Sequence, residues 1–138
     1  MAGSAALLLL LSLGLCCPGI RGQTYTVRAG FRYENFKHLQ VGQRLELECV
    51  TDTADSGVFW IHQDKAGTLH FVVFISYFSR VTFERSKRTS TRFEARKDKA
   101  VYWLAVKSFS PRDQGNYFCL TINNQAMYFS SRLTAFLP

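Results

Sequence analysis

The stretch Asp113-Gln114-Gly115-Asn116-Tyr117-Phe118-Cys119 decides how this 138-residue chain is read. It sets an acidic residue, a turn Gly and a Tyr two positions before a Cys, the order in which a two-sheet antiparallel sandwich turns a corner into one of its central strands. Each role demands its residue type. The Gly allows a tight turn. The Tyr joins an apolar body to a hydroxyl that bonds back to nearby backbone. The Cys points into the core and needs a partner.

Working outward, Cys49 lies 70 positions upstream in Leu45-Glu46-Leu47-Glu48-Cys49, an apolar/polar alternation that reads as a strand with one buried face. Trp60 follows in Val58-Phe59-Trp60-Ile61, where a neighbouring strand brings its indole against a Cys49–Cys119 bridge. Cys, Trp and Tyr-x-Cys at these spacings describe an immunoglobulin variable-type, two-sheet sandwich. The class is all-β, because no helical period persists along the chain. Strands are expected over 44–50, 58–63, 69–75, 92–94, 100–106, 117–121 and 127–136, with an irregular edge strand within 24–36. Small polar residues mark loops at 51–57, 76–79 and 122–126. Arg92 and Asp113 are expected to form a salt bridge closing one end. Alternation turns Trp103 outward, either as a contact site or under neighbouring long side chains.

Residues 1–22 read as a secretory signal peptide and 23–138 as the domain. Ala5 to Leu15 is an apolar run too short to span a bilayer, followed by Cys16-Cys17-Pro18-Gly19. Cleavage is expected between Gly19 and Gly22, leaving Gln23 first. The competing reading is a buried N-terminal helix. Processing removes two of the four cysteines, so Cys49 and Cys119 remain with one pairing open to them in an oxidising compartment. Closing so long a loop is worth roughly 4–5 kcal/mol in the chain-entropy model. No second apolar run of spanning length occurs, so the chain as given is expected in the secretory pathway and extracellular. Any membrane attachment would come through a segment beyond Pro138.

The net charge is +7, and Arg21 leaves with the leader. The excess is local. Arg80, Arg85, Lys87, Arg88, Arg92, Arg96, Lys97 and Lys99 crowd one segment, against Glu84, Glu94 and Asp98. For a secreted chain this suits an acidic protein surface or a sulfated glycan rather than nucleic acid, unless it is simply a solvated basic edge. An enzyme is not expected: phosphate-cradling Gly loops, nucleophile elbows, His-Glu-x-x-His and Cys-x-x-Cys are all missing. His62 and His70 fall on adjacent strands, but a catalytic metal needs a third protein ligand. No cofactor is implied, and no Asn-x-Ser/Thr acceptor occurs.

Leu69-His70-Phe71-Val72-Val73-Phe74-Ile75 is apolar on both faces, and Met127-Tyr128-Phe129 repeats this. Only one face of each can be core. The other exposes aromatics on one sheet, which marks an interface. Gln63, Phe71, Tyr128 and Phe129 are the candidates for it.

The C-terminal part is more particular. An antigen receptor would follow its third loop with Phe-Gly-x-Gly; here the segment is Met127-Tyr128-Phe129-Ser130-Ser131, closing with Ala135-Phe136-Leu137-Pro138. With Ser56-Gly57-Val58-Phe59-Trp60 and Tyr117-Phe118-Cys119, this resembles the alpha-chain family of the T-cell co-receptor for class I MHC molecules, from about Phe31 to Pro138. The resemblance implies a homodimer, or a heterodimer with a beta chain, whose loops clamp an exposed loop of the class I heavy chain. Carried over by position, contact candidates are Thr53, Ala54, Asp55 and Ser56 in the first loop and Ser76 and Tyr77 in the second. Ile122, Asn123, Asn124 and Gln125 represent the third, with Arg32 as a supporting contact. Tyr77 stands where that family commonly carries a polar residue. Two other readings compete: another variable-type immune receptor chain, or a secreted basic glycan-binding domain using the Arg80–Lys99 cluster.

Overall fold

The structure is a computed structural model and describes residues 26–33, 39–52 and 56–138. The expected signal peptide and the loop candidates Thr53, Ala54 and Asp55 lie outside the described residues. Strict alternation in Leu45–Thr51 (β2, after β1 at Val27–Phe31) buries Leu45, Leu47, Cys49 and Thr51 and leaves the residues between them half-buried. The same period in Val58–Gln63 (β3) buries Val58, Trp60 and His62. The other strands are β4 (Leu69–Ile75), β5 (Val81–Phe83), β6 (Phe93–Asp98), β7 (Val101–Val106), β8 (Gly115–Asn123), β9 (Ala126–Phe129) and β10 (Leu133–Ala135). The pairs are antiparallel. One sheet runs β1-β2-β7-β6, the other β10-β8-β3-β4-β5 with β9 also on β8.

The core lies between the sheets, and Cys49 and Cys119 bridge it with Cα atoms 6.3 Å apart. Trp60 stands directly across from Cys119 in the β3–β8 ladder, and both are fully buried. At the corner, the Tyr117 hydroxyl donates to the Asp113 carbonyl at 2.6 Å. The Asp113 carboxylate takes bonds from the Ser110 amide (2.9 Å) and hydroxyl (3.1 Å) and pairs with Arg92, the expected bridge. Gly115 follows because a Cβ there would come within 2.0 Å of the Gln63 carbonyl oxygen, and its φ is +135°.

Several boundaries differ from expectation, each for a local reason. The expected strand over 24–36 is described as Val27–Phe31, paired along β2, and the one at 92–94 extends to Asp98 against the whole of β7. β5 is additional. Its ladder is with Val73–Ile75, too short to leave a periodic signature. β8 continues through Ile122 and Asn123, because Asn124 and Gln125 alone make the turn, with φ of 52° and 66°. That is the two-residue hairpin pattern whose twist matches its strands. The expected single strand over 127–136 is split at Ser130. Trp103 is covered: the Arg32 guanidinium lies 4.7 Å and that of Arg96 5.7 Å from its ring.

Candidate recognition surface

Three chain reversals meet at one end of the six-stranded sheet. Val58, which opens β3, pairs with Ile75, which closes β4, and Phe59 pairs with Leu120 near the end of β8. The loops before β3, after β4 and between β8 and β9 therefore share that end. Gly57 lets two of them pass close together: a Cβ there would meet the Ile75 carbonyl oxygen at 2.5 Å, and φ is +82°. Hydrogen bonds tie the first loop to the third. Ser56 Oγ lies 3.1 Å from Thr121 Oγ1 and donates to the Ile122 carbonyl, while Thr121 Oγ1 donates to the Gly57 carbonyl at 2.8 Å.

The middle loop is closed on itself. The Ser76 amide donates to the Arg80 carbonyl (2.8 Å), and the Arg80 amide donates to Ser76 Oγ (3.0 Å). Ser76 is thus half-buried and engaged, while Tyr77 and Phe78 stand out as an edge-to-face pair 5.3 Å apart. Phe78 is 87% exposed. Sequence reasoning stopped at Tyr77; the available signal was an aromatic pair inside Ser76-Tyr77-Phe78-Ser79, a segment otherwise of turn composition.

Arg32 is not brought to this end. Its amide bonds the Glu46 carbonyl, whereas the loop end of the β1–β2 ladder is at Val27 and Thr51. Its side chain pairs with Glu46 at 3.0 Å on the outer face of the four-stranded sheet. There it shares a cavity of about 230 Å³ with Arg44, Glu94, Arg96 and Trp103. Arg44 bridges Glu94 (2.7 Å) and Glu46 (3.1 Å). Those bonds raise the Arg44 pKa, and the bond from Arg44 lowers that of Glu94. Both groups are largely exposed, so water screens the pairing and it adds little to stability.

The outer face of the six-stranded sheet is apolar. Phe118 and Leu120 on β8 are flanked by Phe129, which pairs with Leu120, and by Met127, which pairs with Ile122. Across β3, Phe59 packs on Phe74 (4.6 Å) and against Phe71 (6.3 Å). A register shift opposite Trp60 and Ile61 makes this possible: Val73 pairs with Trp60 but Phe71 with Ile61, leaving Val72 as the extra residue. The run that looks apolar on both faces is therefore two alternations joined by a bulge. Val73 and Ile75 are buried, and Leu69 and Phe71 stay exposed.

Of the four interface candidates, Phe71 and Phe129 lie on this face. Gln63 sits at its margin, accepting from Asn116 at 3.3 Å and donating to the Gly67 carbonyl at 3.4 Å. Tyr128 does not join them. It pairs with Thr121, which is buried, and so turns to the opposite side of β9. Met127 and Leu69 are further exposed apolar members of this face, and so is Ile122, which was expected only as a loop contact; Met127 was legible, two residues from Phe129 on a period of two.

The two histidines are neighbours in register, but each is committed elsewhere. Buried His62 holds the Gln114 carbonyl through Nε2 at 2.8 Å, and His70 Nε2 meets Asp64 Oδ2 at 2.7 Å. Among the described residues no group of three or more His, Cys, Asp or Glu could hold a metal. Nor is any described helix long and apolar enough to cross a membrane.

A two-sheet sandwich with a bridged core, a tyrosine corner and three loops at one end is a variable-type immunoglobulin domain. The chain belongs to the immunoglobulin V-set family, whose domain model matches residues 34–135. Among relatives, the T-cell surface glycoprotein CD8 alpha chain of Mus musculus is 32% identical over 98 residues, covering 67% of this chain and 40% of that protein. The same protein of Rattus norvegicus is 33% identical over 102 residues, covering 70% and 42%. This chain thus spans about two-fifths of the length of these relatives. The crystal structure of the swine CD8αα homodimer shares the fold, with a TM-score of 0.67 at 22% identity over 81% of this chain and 97% of that one.

Proposed function

We propose that this chain is the recognition domain of a cell-surface co-receptor of the CD8 alpha type. In this reading it pairs with itself, or with a beta chain, through the outer face of the six-stranded sheet and binds class I MHC molecules through the loops at its upper end. The observation that carries the reading is that apolar face, continuous from Phe71 and Phe59 to Phe118 and Phe129 and adjoining the loop cluster. Phe118 and Leu120 are buried within it and Phe71, Met127 and Phe129 are exposed around them, and exposed apolar side chains grouped in this way mark an interface. A two-fold pairing covers it with a copy of itself and sets two loop clusters side by side. The likeness to CD8 alpha chains supports the partner. The role is recognition rather than catalysis, and nucleic acid has no part in it.

In the third loop, Asn124 and Gln125 are exposed at the hairpin tip and Asn123 is half-buried below them. Amides at such a tip both donate and accept, which suits contact with an exposed backbone loop. Contacts of this size give transient binding, micromolar or weaker. The test is surface plasmon resonance against purified class I molecules, comparing the parent with a variant carrying Asn123→Ala and Asn124→Gly. Glycine is the right replacement at 124 because φ is positive there and Ala would add strain. Loss of at least about fivefold in affinity is expected, with an unchanged melting curve. Equal binding by parent and variant would remove the third loop from the site.

A further inference from the structure

We infer that the flank of the sandwich between β4 and β6 is a binding groove for a sulfated polysaccharide chain, separate from the loop end. β5 covers only Val73–Ile75 of β4, so the remainder of that edge strand faces an open groove of about 940 Å³. Five Lys or Arg residues line it: Arg85, Lys87, Arg92, Lys107 and Arg112. They come from four separate places in the chain, the turn after β5, the segment leading into β6, the end of β7 and the turn before β8.

Folding thus sorts the basic run seen in sequence. Arg85, Lys87 and Arg92 enter the groove, whereas Arg96 goes to Trp103 and Lys97 to Tyr77, 4.8 Å from its ring. Lys107 and Arg112 join from outside the run. Asp64 and Glu84 line the groove with them, Asp64 already bonded to His70, and Asp113 pairs with Arg92 from beside it.

The cations divide into fixed and available ones. Arg92 is held by Asp113 and lies over Phe93 at 4.8 Å, and its buried Nε has no hydrogen-bond partner. Lys107 Nζ donates to the Ser90 carbonyl at 2.8 Å. Arg85, Lys87 and Arg112 are exposed and form no ion pair among the described residues. The turn carrying two of them is closed by bonds from the Phe83 amide to the Lys87 carbonyl (2.6 Å) and back from the Lys87 amide to Glu84 (3.4 Å).

Three guanidiniums and two ammoniums along an open groove match a linear polyanion, since guanidinium presents a planar fork to sulfate oxygens. Strand addition by an acidic peptide is the weaker fit. The bulge at Val72 interrupts the edge such a peptide would have to follow. A formed disulfide places the domain in an oxidising, extracellular setting, where sulfated glycosaminoglycans are the common linear polyanions.

The test is calorimetric titration with a size-defined heparin octasaccharide at 0.15 M salt. A groove variant (Arg85→Ala, Lys87→Ala, Arg112→Ala) is compared with a control of equal charge loss elsewhere (Arg28→Ala, Arg80→Ala, Arg96→Ala). The groove variant is expected to bind about tenfold more weakly and the control no more than about threefold, because only contacting charges are lost in the first. Desulfated heparin and polyglutamate are expected not to bind. Equal weakening in both variants, tight binding of polyglutamate, or a parent that binds no heparin overturns the inference. As a readout on the unaltered protein, heparin should protect Lys87 and Lys107 from acetylation while Lys65 and Lys99 stay reactive. Uniform protection or none counts against the groove.

Discussion

His62 shows how one buried titratable residue couples the core to pH. Its ring stacks on Tyr117 at 4.4 Å and 11°, and its Nε2–H donates to the Gln114 carbonyl. Burial lowers its pKa from the ordinary 6.5, helped by the nearby charges of His70 and Arg92; the bond to Gln114 and the charge of Asp113 work the other way and are outweighed. The unfolded chain therefore takes up the proton first as pH falls, and stability present above about pH 6.5 is lost on acidification. Urea unfolding is therefore expected to show lower stability at pH 5.0 than at pH 7.5. His62→Leu should flatten that dependence. If parent and variant lose stability equally, His62 is not its source. The lowered Asp64 and Glu94 carboxylates act in a more acidic range and do not confuse the comparison.

Among the elements, the break between β9 and β10 repays the closest reading. Residues 129 to 133 run opposite 120 to 117, one residue more on the outer strand, so the ladder contains a bulge. Ser130 closes the gap it leaves. Its amide donates to the Cys119 carbonyl, and its hydroxyl accepts from the Cys119 amide and donates to the Ser131 carbonyl, all at 2.8–2.9 Å. A side chain thus supplies the acceptor that a continuous strand would have offered. Ser130→Ala leaves the Cys119 amide buried without a partner, which costs about 1–3 kcal/mol. Chemical denaturation of the oxidised domain measures it. A loss under about 0.5 kcal/mol would mean that water or a backbone shift replaces the hydroxyl.

For the whole molecule, the outer apolar face and the exposed loop tip make different claims on solvent. If the face pairs two copies, Phe129→Glu or Phe71→Glu sets like charges near each other across the two-fold and exposes the remaining patch. Sedimentation should then show a dimer of the parent at micromolar concentration and a monomer for either variant. Phe78→Glu, at the tip and away from that face, should leave the dimer intact while removing an exposed aromatic of the kind that dominates binding energy in interfaces. A parent that stays monomeric at all concentrations would leave the face to another chain. Dissociation by Phe78→Glu would place the interface at the loops instead.

The all-β class, the disulfide, the tyrosine corner and the Arg92–Asp113 bridge were legible because each is a residue type demanded at a fixed offset. Cys49, Trp60, Tyr117 and Cys119 carry that pattern wherever the chain goes next. Strand identity was legible too, since a period of two reports a half-buried sheet. Register was not: one extra residue at Val72 decides that Phe71 faces out, and the pairing of Tyr128 with Thr121 turns it away from Phe129. A single-residue slip exchanges the two faces of a strand without altering its composition. The basic run behaves in the same way. Its charges read as one cluster along the chain, but alternation and strand crossing send them to separate surfaces and bring Lys107 and Arg112 to meet three of them. Tertiary structure alone decides such company, because residues distant in sequence become neighbours only through the pairing of the strands that carry them.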